Sequence, residues 1–162
     1  VPDNPTPGEV GVAGIDEAEE LEHLAAISFD TSRFFADRRL PRERCRELYA
    51  IWARRSVDGT LADAVVTHRS NGSIDGFVSI RLAEGGATLP LVAVRPDRQG
   101  SGVGGMLIES TLRWLRSANV NQVSVVTQLA NTRAVRLYEA QGFRIADAAV
   151  WLHRWYGKSS EL

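Results

Sequence analysis

Between residues 95 and 105 the sequence changes from β-like alternation to a polar, glycine-dense stretch that runs directly into an amphipathic helix. No other feature limits the fold as much. The residues are Arg98-Gln99-Gly100-Ser101-Gly102-Val103-Gly104-Gly105. A glycine turn at a helix start leaves several N–H groups without an intrahelical partner, and with the positive end of the helix these favour a phosphate. Glycine serves where a Cβ would block close approach or forbid a positive φ. A merely flexible surface loop would need fewer glycines at that point.

The flanking segments set the context. Residues 10–15 are predicted to form a first strand. Residues 16–28 are predicted helical, with Leu21, Leu24, Ala25 and Ile27 mostly on one side. Residues 29–40 show no clean period. Pro41 suits the first turn of a second helix with the stripe Cys45, Leu48 and Trp52. Three β-like segments follow, at 61–68, 74–82 and 87–94. Asn71-Gly72 and Gly85-Gly86 divide them, so they read as an antiparallel meander. After the glycine turn comes a helix to about residue 118, with Leu107, Ile108, Thr111, Leu112 and Leu115 as its buried stripe. A strand at 122–128 and a helix at 131–141 come next, the helix stopped by Gly142. Residues 143–156 are expected to supply one or two closing strands.

This order, β-α-α-β-β-β-α-β-α-β, predicts an α/β fold with a mixed sheet, an antiparallel meander joined to βαβ units, and helices on both faces. One domain is expected over 10–156, between a flexible lead-in at 1–9 and a flexible tail at 157–162. Composition narrows the function. The formal net charge of -1 gives no overall basic excess for nucleic acid. The cluster Arg38, Arg39, Arg42, Arg44 and Arg46 is interrupted by Glu43 and Glu47 and reads as a solvated face. Cys45 is the sole cysteine, so neither a disulfide framework nor a zinc cluster is expected, and no metal. No apolar run approaches the roughly 20 residues that span a bilayer. The polar, proline-rich start is unlike a signal peptide. Together these point to the cytoplasm, with no membrane or nucleic-acid partner.

Two phosphate-binding patterns fit the turn. Gly100, Gly102 and Gly105 satisfy Gly-x-Gly-x-x-Gly, the dinucleotide fingerprint. Context argues against it: residues 95–99 separate the strand from the first glycine, and the next strand ends in Thr127-Gln128 where a ribose-binding acid should stand. The second pattern, Gln/Arg-x-x-Gly-x-Gly/Ala, fits at Gln99, Gly102 and Gly104.

On this second pattern the chain resembles the GNAT superfamily, the Gcn5-related N-acetyltransferases. The ordered set is the strand Leu91-Val92-Ala93-Val94, the turn, the long helix, the strand at 123–127, and a helix with Asn131, Ala134, Leu137 and Tyr138 before Gly142-Phe143. The resemblance covers roughly residues 10–156. It implies acetyl-CoA as cosubstrate and an amine as acceptor. It also implies that the strand Leu91, Val92, Ala93 and Val94 splays from its neighbour, and that its free backbone groups meet the pantetheine arm. Pro90, which cannot donate to a ladder, marks an irregularity there. Gln99, Gly100, Ser101, Gly102, Val103 and Gly104 would hold the pyrophosphate. Asn131 and Ala134 would touch the cofactor, with Asn131 also an N-cap. Tyr138 would be both a cofactor contact and the general acid for the leaving thiolate. On helical period alone Tyr138 shares a face with Ala134, Leu137 and Gln141 and reads as core; the resemblance reverses that reading.

The general base is not legible. Asp30, Glu84, His68 and His153 qualify by type; His68 sits at a hairpin end and is expected to be solvated, and His153 falls on a late strand. A water relay or an amine deprotonated in solution serves as well. The resemblance is closer to the dTDP-fucosamine acetyltransferase group, through Thr127-Gln128-x-x-Asn131, Ser32-Arg33-Phe34 and Trp151-Leu152-His153-Arg154. It implies the 4-amino group of a nucleotide-linked deoxysugar as acceptor, with Ser32, Arg33, Phe34 and Gln128 at its site. Arg33 would clamp an anion and Phe34 stack on a ring; pairing of Arg33 with Asp30 or Asp37 is the plain alternative. Another small-molecule or protein amine, a non-catalytic acyl-CoA-binding module, and a homodimer all stay open.

Overall fold

The computed structural model describes residues 8–156. The expected tail, and the expected lead-in up to residue 7, lie outside the described residues; Glu9, expected in the lead-in, already begins a strand. The strands are β1 (Glu9–Val12), β2 (Ala64–Ser70), β3 (Ser73–Ala83), β4 (Gly86–Leu89), β5 (Val92–Val94) and β6 (Val123–Val125). The helices are α1 (Ala18–Ser28), α2 (Arg33–Ala36), α3 (Arg42–Val57), α4 (Val103–Ser117) and α5 (Thr132–Ala140). The sheet runs β1-β2-β3-β4-β6, with β5 paired only to β3. All pairs are antiparallel except β4 with β6. The fold is the expected mixed sheet with helices on both faces.

Alternation along the strands divides the core. Val65 and Phe77 face one side, where Leu21, Leu24 and Ala25 of α1 and Tyr49 and Ala53 of α3 cover them. Val66, Val78 and Ile80 face the other side, under Val103, Leu107, Ile108 and Leu115 of α4 and Tyr138 of α5. Period two in the strands thus delivers one apolar set to each helical layer. The β2–β3 hairpin turns on Asn71 at φ 51° and Gly72 at φ 77°, the left-handed pair that an Asn-Gly turn provides. The arginines of α3 lie on its solvent side; Arg44 pairs with Glu47 and Arg54 with Glu22. Among the described residues no helix is long and apolar enough to cross a membrane.

Three expectations need correction. The segment 87–94 is two strands rather than one, because Pro90 carries no N–H for a ladder and the chain breaks pairing around it. The strand at 122–128 keeps only Val123–Val125, since its partner β4 stops at Leu89; beyond it Val126 is 86% exposed. Residues 143–156 form no strand. Their apolar alternation finds no partner edge, and Ile145, Val150, Trp151 and Leu152 are exposed.

Candidate active site

The break at Pro90 opens the site. β4 pairs with β6 through Leu89 and Val125, and past that point β5 follows β3 alone. The two strands therefore part, and one edge of β5 is left without a neighbour. Which backbone groups lie on that edge follows from β3. Leu91 accepts from Ser79 N–H at 2.9 Å and donates to Ser79 Oγ at 2.8 Å, and Arg95 N–H donates to the Asp75 carbonyl at 2.8 Å. In an antiparallel pair the direction alternates, so Leu91 and Ala93 turn their polar groups to β3, and Val92 and Val94 turn theirs to the gap. Of the four strand residues singled out from sequence, Val92, Ala93 and Val94 line the resulting cavity, whereas Leu91 is 4% exposed in the core.

The glycine turn closes one end of this gap. A 3-10 turn at Pro96–Arg98 leads into it, and Gly100 and Gly102 take φ of 86° and 90°. The first amide of α4 to find a carbonyl is Met106, which donates to Gly102 at 3.1 Å. The N–H groups of Val103, Gly104 and Gly105 precede it and lack an intrahelical acceptor. Gly104 packs so close to α5 that a Cβ would stand 3.1 Å from Leu137. The side chains of the turn are largely committed to the protein. Ser101 Oγ donates to the Arg98 carbonyl at 2.6 Å, and Val103 is buried in the core. Gln99 Nε2 donates to the Val94 carbonyl at 3.1 Å, and its Oε1 accepts from Arg133. Gln99, Gly100, Gly102 and Gly104 line the cavity; Ser101 and Val103 do not.

α5 supplies the opposite wall. Asn131 caps it, accepting the Ala134 N–H at 3.2 Å. At the other end Phe143 N–H donates to Tyr138 and Gly142 N–H to Glu139, each at 3.0 Å, with Gly142 at φ 88°. This paired closure fixes the chain so that the Phe143 ring lies 5.6 Å from the Tyr138 ring. Tyr138 is 8% exposed and lines the cavity, and no described side chain hydrogen-bonds its hydroxyl. Burial pushes its pKa up to about 12. Arg133 was not foreseen; its signal was a cation two residues into the helix that opens at Asn131, a position already singled out from the sequence.

The far end of the cavity is aromatic. Phe29 stacks on Tyr49 at 4.3 Å, and Trp52 meets Tyr49 and Phe34 edge-on at 5.4 and 6.0 Å. Burial pushes the Tyr49 hydroxyl up. Ser32, Arg33, Phe34 and Gln128 all line the cavity. Arg33 pairs with neither Asp30 nor Asp37. Its guanidinium lies 4.7 Å from the Phe34 ring and 4.2 Å from the Trp151 ring. Asp37 instead faces His153 Nδ1 at 2.9 Å. Among the base candidates only Asp30 lines the cavity. His68, expected to be solvated, is fully buried, because it points inward to Asp75. The whole space measures about 930 Å³, large enough for two joined small ligands.

A family model described as the acetyltransferase (GNAT) family matches residues 28–143, which contain the split strand, the glycine turn and α5. The chain belongs to the GNAT acetyltransferase family. It is 30% identical over 153 residues to the spore coat polysaccharide biosynthesis protein SpsD of Bacillus subtilis, covering 94% of this chain and 53% of that protein. It is 32% identical over 145 residues to dTDP-fucosamine acetyltransferase of Escherichia coli, covering 88% and 62%. The chain therefore spans roughly half to three-fifths of the length of these two relatives. The fold is also that of the PaiA N-acetyltransferase from Thermoplasma acidophilum, solved in complex with coenzyme A. The TM-score is 0.70 at 15% identity, over 89% of this chain and 94% of that one.

Proposed function

We propose that this chain moves an acetyl group from acetyl-CoA to a primary amine, and that the amine belongs to a nucleotide-linked amino sugar. The observation that carries this reading is the meeting of three parts in one cavity: the unpaired edge of β5, the open amides at the start of α4, and the Tyr138 hydroxyl. They match the two ends of acetyl-CoA. The amides of Gly104 and Gly105 suit its pyrophosphate, and the positive φ of Gly100 and Gly102 brings the backbone close. The polar edge of Val92 and Val94 suits the amide-bearing arm and the thioester carbonyl.

The chemistry is a direct displacement. The amine lone pair attacks the thioester carbonyl carbon, a C–N bond forms, and the C–S bond breaks to release a thiolate. The nitrogen loses one proton to water or a base, and the sulfur gains one. Tyr138 stays neutral through the working range and offers its hydroxyl to the sulfur. A thiol is the stronger acid of the two, so complete transfer from Tyr138 would run uphill. The contribution of Tyr138 is therefore a hydrogen bond to the departing sulfur, strongest when negative charge develops there.

Three features support the acceptor. Arg33 lies near the Phe34 and Trp151 rings and forms no ion pair with a described carboxylate, so its charge is available to an anionic group. The aromatic wall offers flat surfaces to sugar or base rings. The relative named above as a dTDP-fucosamine acetyltransferase matches across this region. Two measurements test the reading together. Acetyl-CoA at a hundredfold its Kd should stabilise the fold by about 2.7 kcal/mol. Thiol release should follow on adding a dTDP-linked 4-amino sugar. An unmoved melting curve at saturation removes the cofactor assignment. Thiol release with a polyamine, aminoglycoside or peptide amine alone reassigns the acceptor, and a shift without turnover on any amine leaves an acyl-CoA-binding module.

A further inference from the structure

Asp75 gathers more polar side chains than any residue of the cavity, yet it does not line the cavity. It is the extra residue of a bulge in β3: His68 pairs with Gly76 and Arg69 with Ile74, so Asp75 faces no residue of β2. A bulge re-aims one side chain out of the alternating ladder. Two contacts pin this one. Glu20 of α1 accepts the Ile74 N–H at 2.6 Å, and Gly76 sits so near β5 that a Cβ would stand 2.6 Å from the Ala93 carbonyl.

Turned inward, the carboxylate is fully buried and fully engaged. Oδ2 accepts from Ser70 Oγ at 2.5 Å and lies 3.1 Å from His68 Nδ1. Oδ1 accepts from Arg98 Nε at 3.1 Å, with Arg95 Nη2 at 3.5 Å. A carboxylate only accepts, so the His68 proton is assigned to Nδ1. Serine, histidine and aspartate do not make a nucleophile here. Ser70 and His68 address the same oxygen, and none of the three reaches the cavity.

The network leads instead to the phosphate turn. Arg95 is tied to Asp75 twice, by its guanidinium and by its backbone N–H. Arg98 is tied to Asp75 and, through Nη2 at 2.6 Å, to Ser70. Arg95 caps the start of the 3-10 turn Pro96–Arg98, and Arg98 is its last residue. The Arg98 carbonyl then accepts from Ser101 Oγ at 2.6 Å, inside the glycine turn. Arg98 thus faces the protein rather than the cavity.

We infer that Asp75 is a positioning residue for the glycine turn, its bulge holding Arg95 and Arg98 so that the amides opening α4 are set for a pyrophosphate before one arrives. A run of glycines has much backbone freedom to lose on binding, and an anchored turn has lost part of it in advance. The inference rests on the reading of the turn as the pyrophosphate site.

The test compares two donors, acetyl-CoA and acetyl-pantetheine, which share the thioester arm but differ in the pyrophosphate and nucleotide. Asp75→Asn removes the charge at the centre of the network; Arg98→Gln, nearer the surface, serves if the first variant does not fold. Affinity for acetyl-CoA is read by calorimetry and for acetyl-pantetheine by thermal shift at millimolar concentration. Each variant should weaken acetyl-CoA by about tenfold and leave acetyl-pantetheine unchanged, and the double variant should lose little more than either single one. Equal weakening of both donors shows a general structural role and overturns the inference. Unchanged acetyl-CoA affinity in a folded variant overturns it also. A wild-type protein that does not prefer acetyl-CoA to acetyl-pantetheine brings down the pyrophosphate reading itself.

Discussion

Tyr138 has a hydroxyl in a nearly closed space and a ring fixed by Phe143, and burial alone raises its pKa to about 12. It therefore keeps its proton wherever an amine can be neutral. Tyr138→Phe should lower kcat by about 100-fold, in the range for losing one hydrogen-bond donor to charge that develops in the transition state. The KM for acetyl-CoA should stay within about twofold, because the lost bond forms mainly as the sulfur leaves. In the wild type kcat should show no falling limb before pH 10. Unchanged turnover in the variant would return Tyr138 to the core, and a limb centred near pH 10 would mean a solvated hydroxyl. The helical face that carries Tyr138 was legible from Ala134 and Leu137. Its fixed orientation was not, because that depends on Gly142 turning the chain back so that Phe143 meets it.

At the scale of elements the glycine turn at 99–105 tests what a glycine does beyond making a bend. Gly100 and Gly59 adopt nearly the same backbone, at φ 86° and 83°, and a Cβ on either would meet nothing within 4 Å. Replacing each by alanine should therefore cost similar stability, about 1 kcal/mol, from left-handed strain. Only Gly100→Ala should weaken acetyl-CoA, because only Gly100 lines the cavity proposed to hold the pyrophosphate; Gly59 follows α3, away from the cavity. Parallel chemical denaturation and calorimetry decide the matter, and equal affinities for both variants would make the turn a bend and no more. The turn, α4 and the Asn131 cap could all be read from sequence, since each depends on neighbours within a few residues. The break of the third β-segment could be suspected from Pro90. Where β6 stops could not, because that is set by where β4 ends, some 35 residues earlier in the chain.

Across the whole molecule the helical stripes and the closing stretch meet different fates. Most stripes of α1 and α4 bury as their periods predict, whereas the alternating stretch at 143–156 pairs with nothing. Periodicity states what a segment can form; an available edge decides whether it does. His68 fails for a related reason. A histidine at a hairpin end looks solvated until a bulge just past the Asn71-Gly72 turn brings Asp75 beneath it. That buried carboxylate joins β2, β3 and the 3-10 turn, so it should mark the acid stability of the fold. Burial pushes its pKa up, but the hydrogen bonds from Ser70 and Arg98 with the Arg98 charge outweigh this and leave it below its ordinary value. The folded value thus lies below the unfolded one of about 3.9. The stabilisation it brings is complete above that pH and is lost as pH falls through the folded value. Asp75→Asn should accordingly lower stability near neutrality by about 1–3 kcal/mol. The gap in melting temperature between variant and wild type should hold from pH 7 to about pH 4.5, then narrow as the wild-type carboxylate takes up its proton. Melting curves from pH 7 to 3 give the comparison, and a gap that stays constant to pH 3 would show that the charge of Asp75 contributes nothing to the fold.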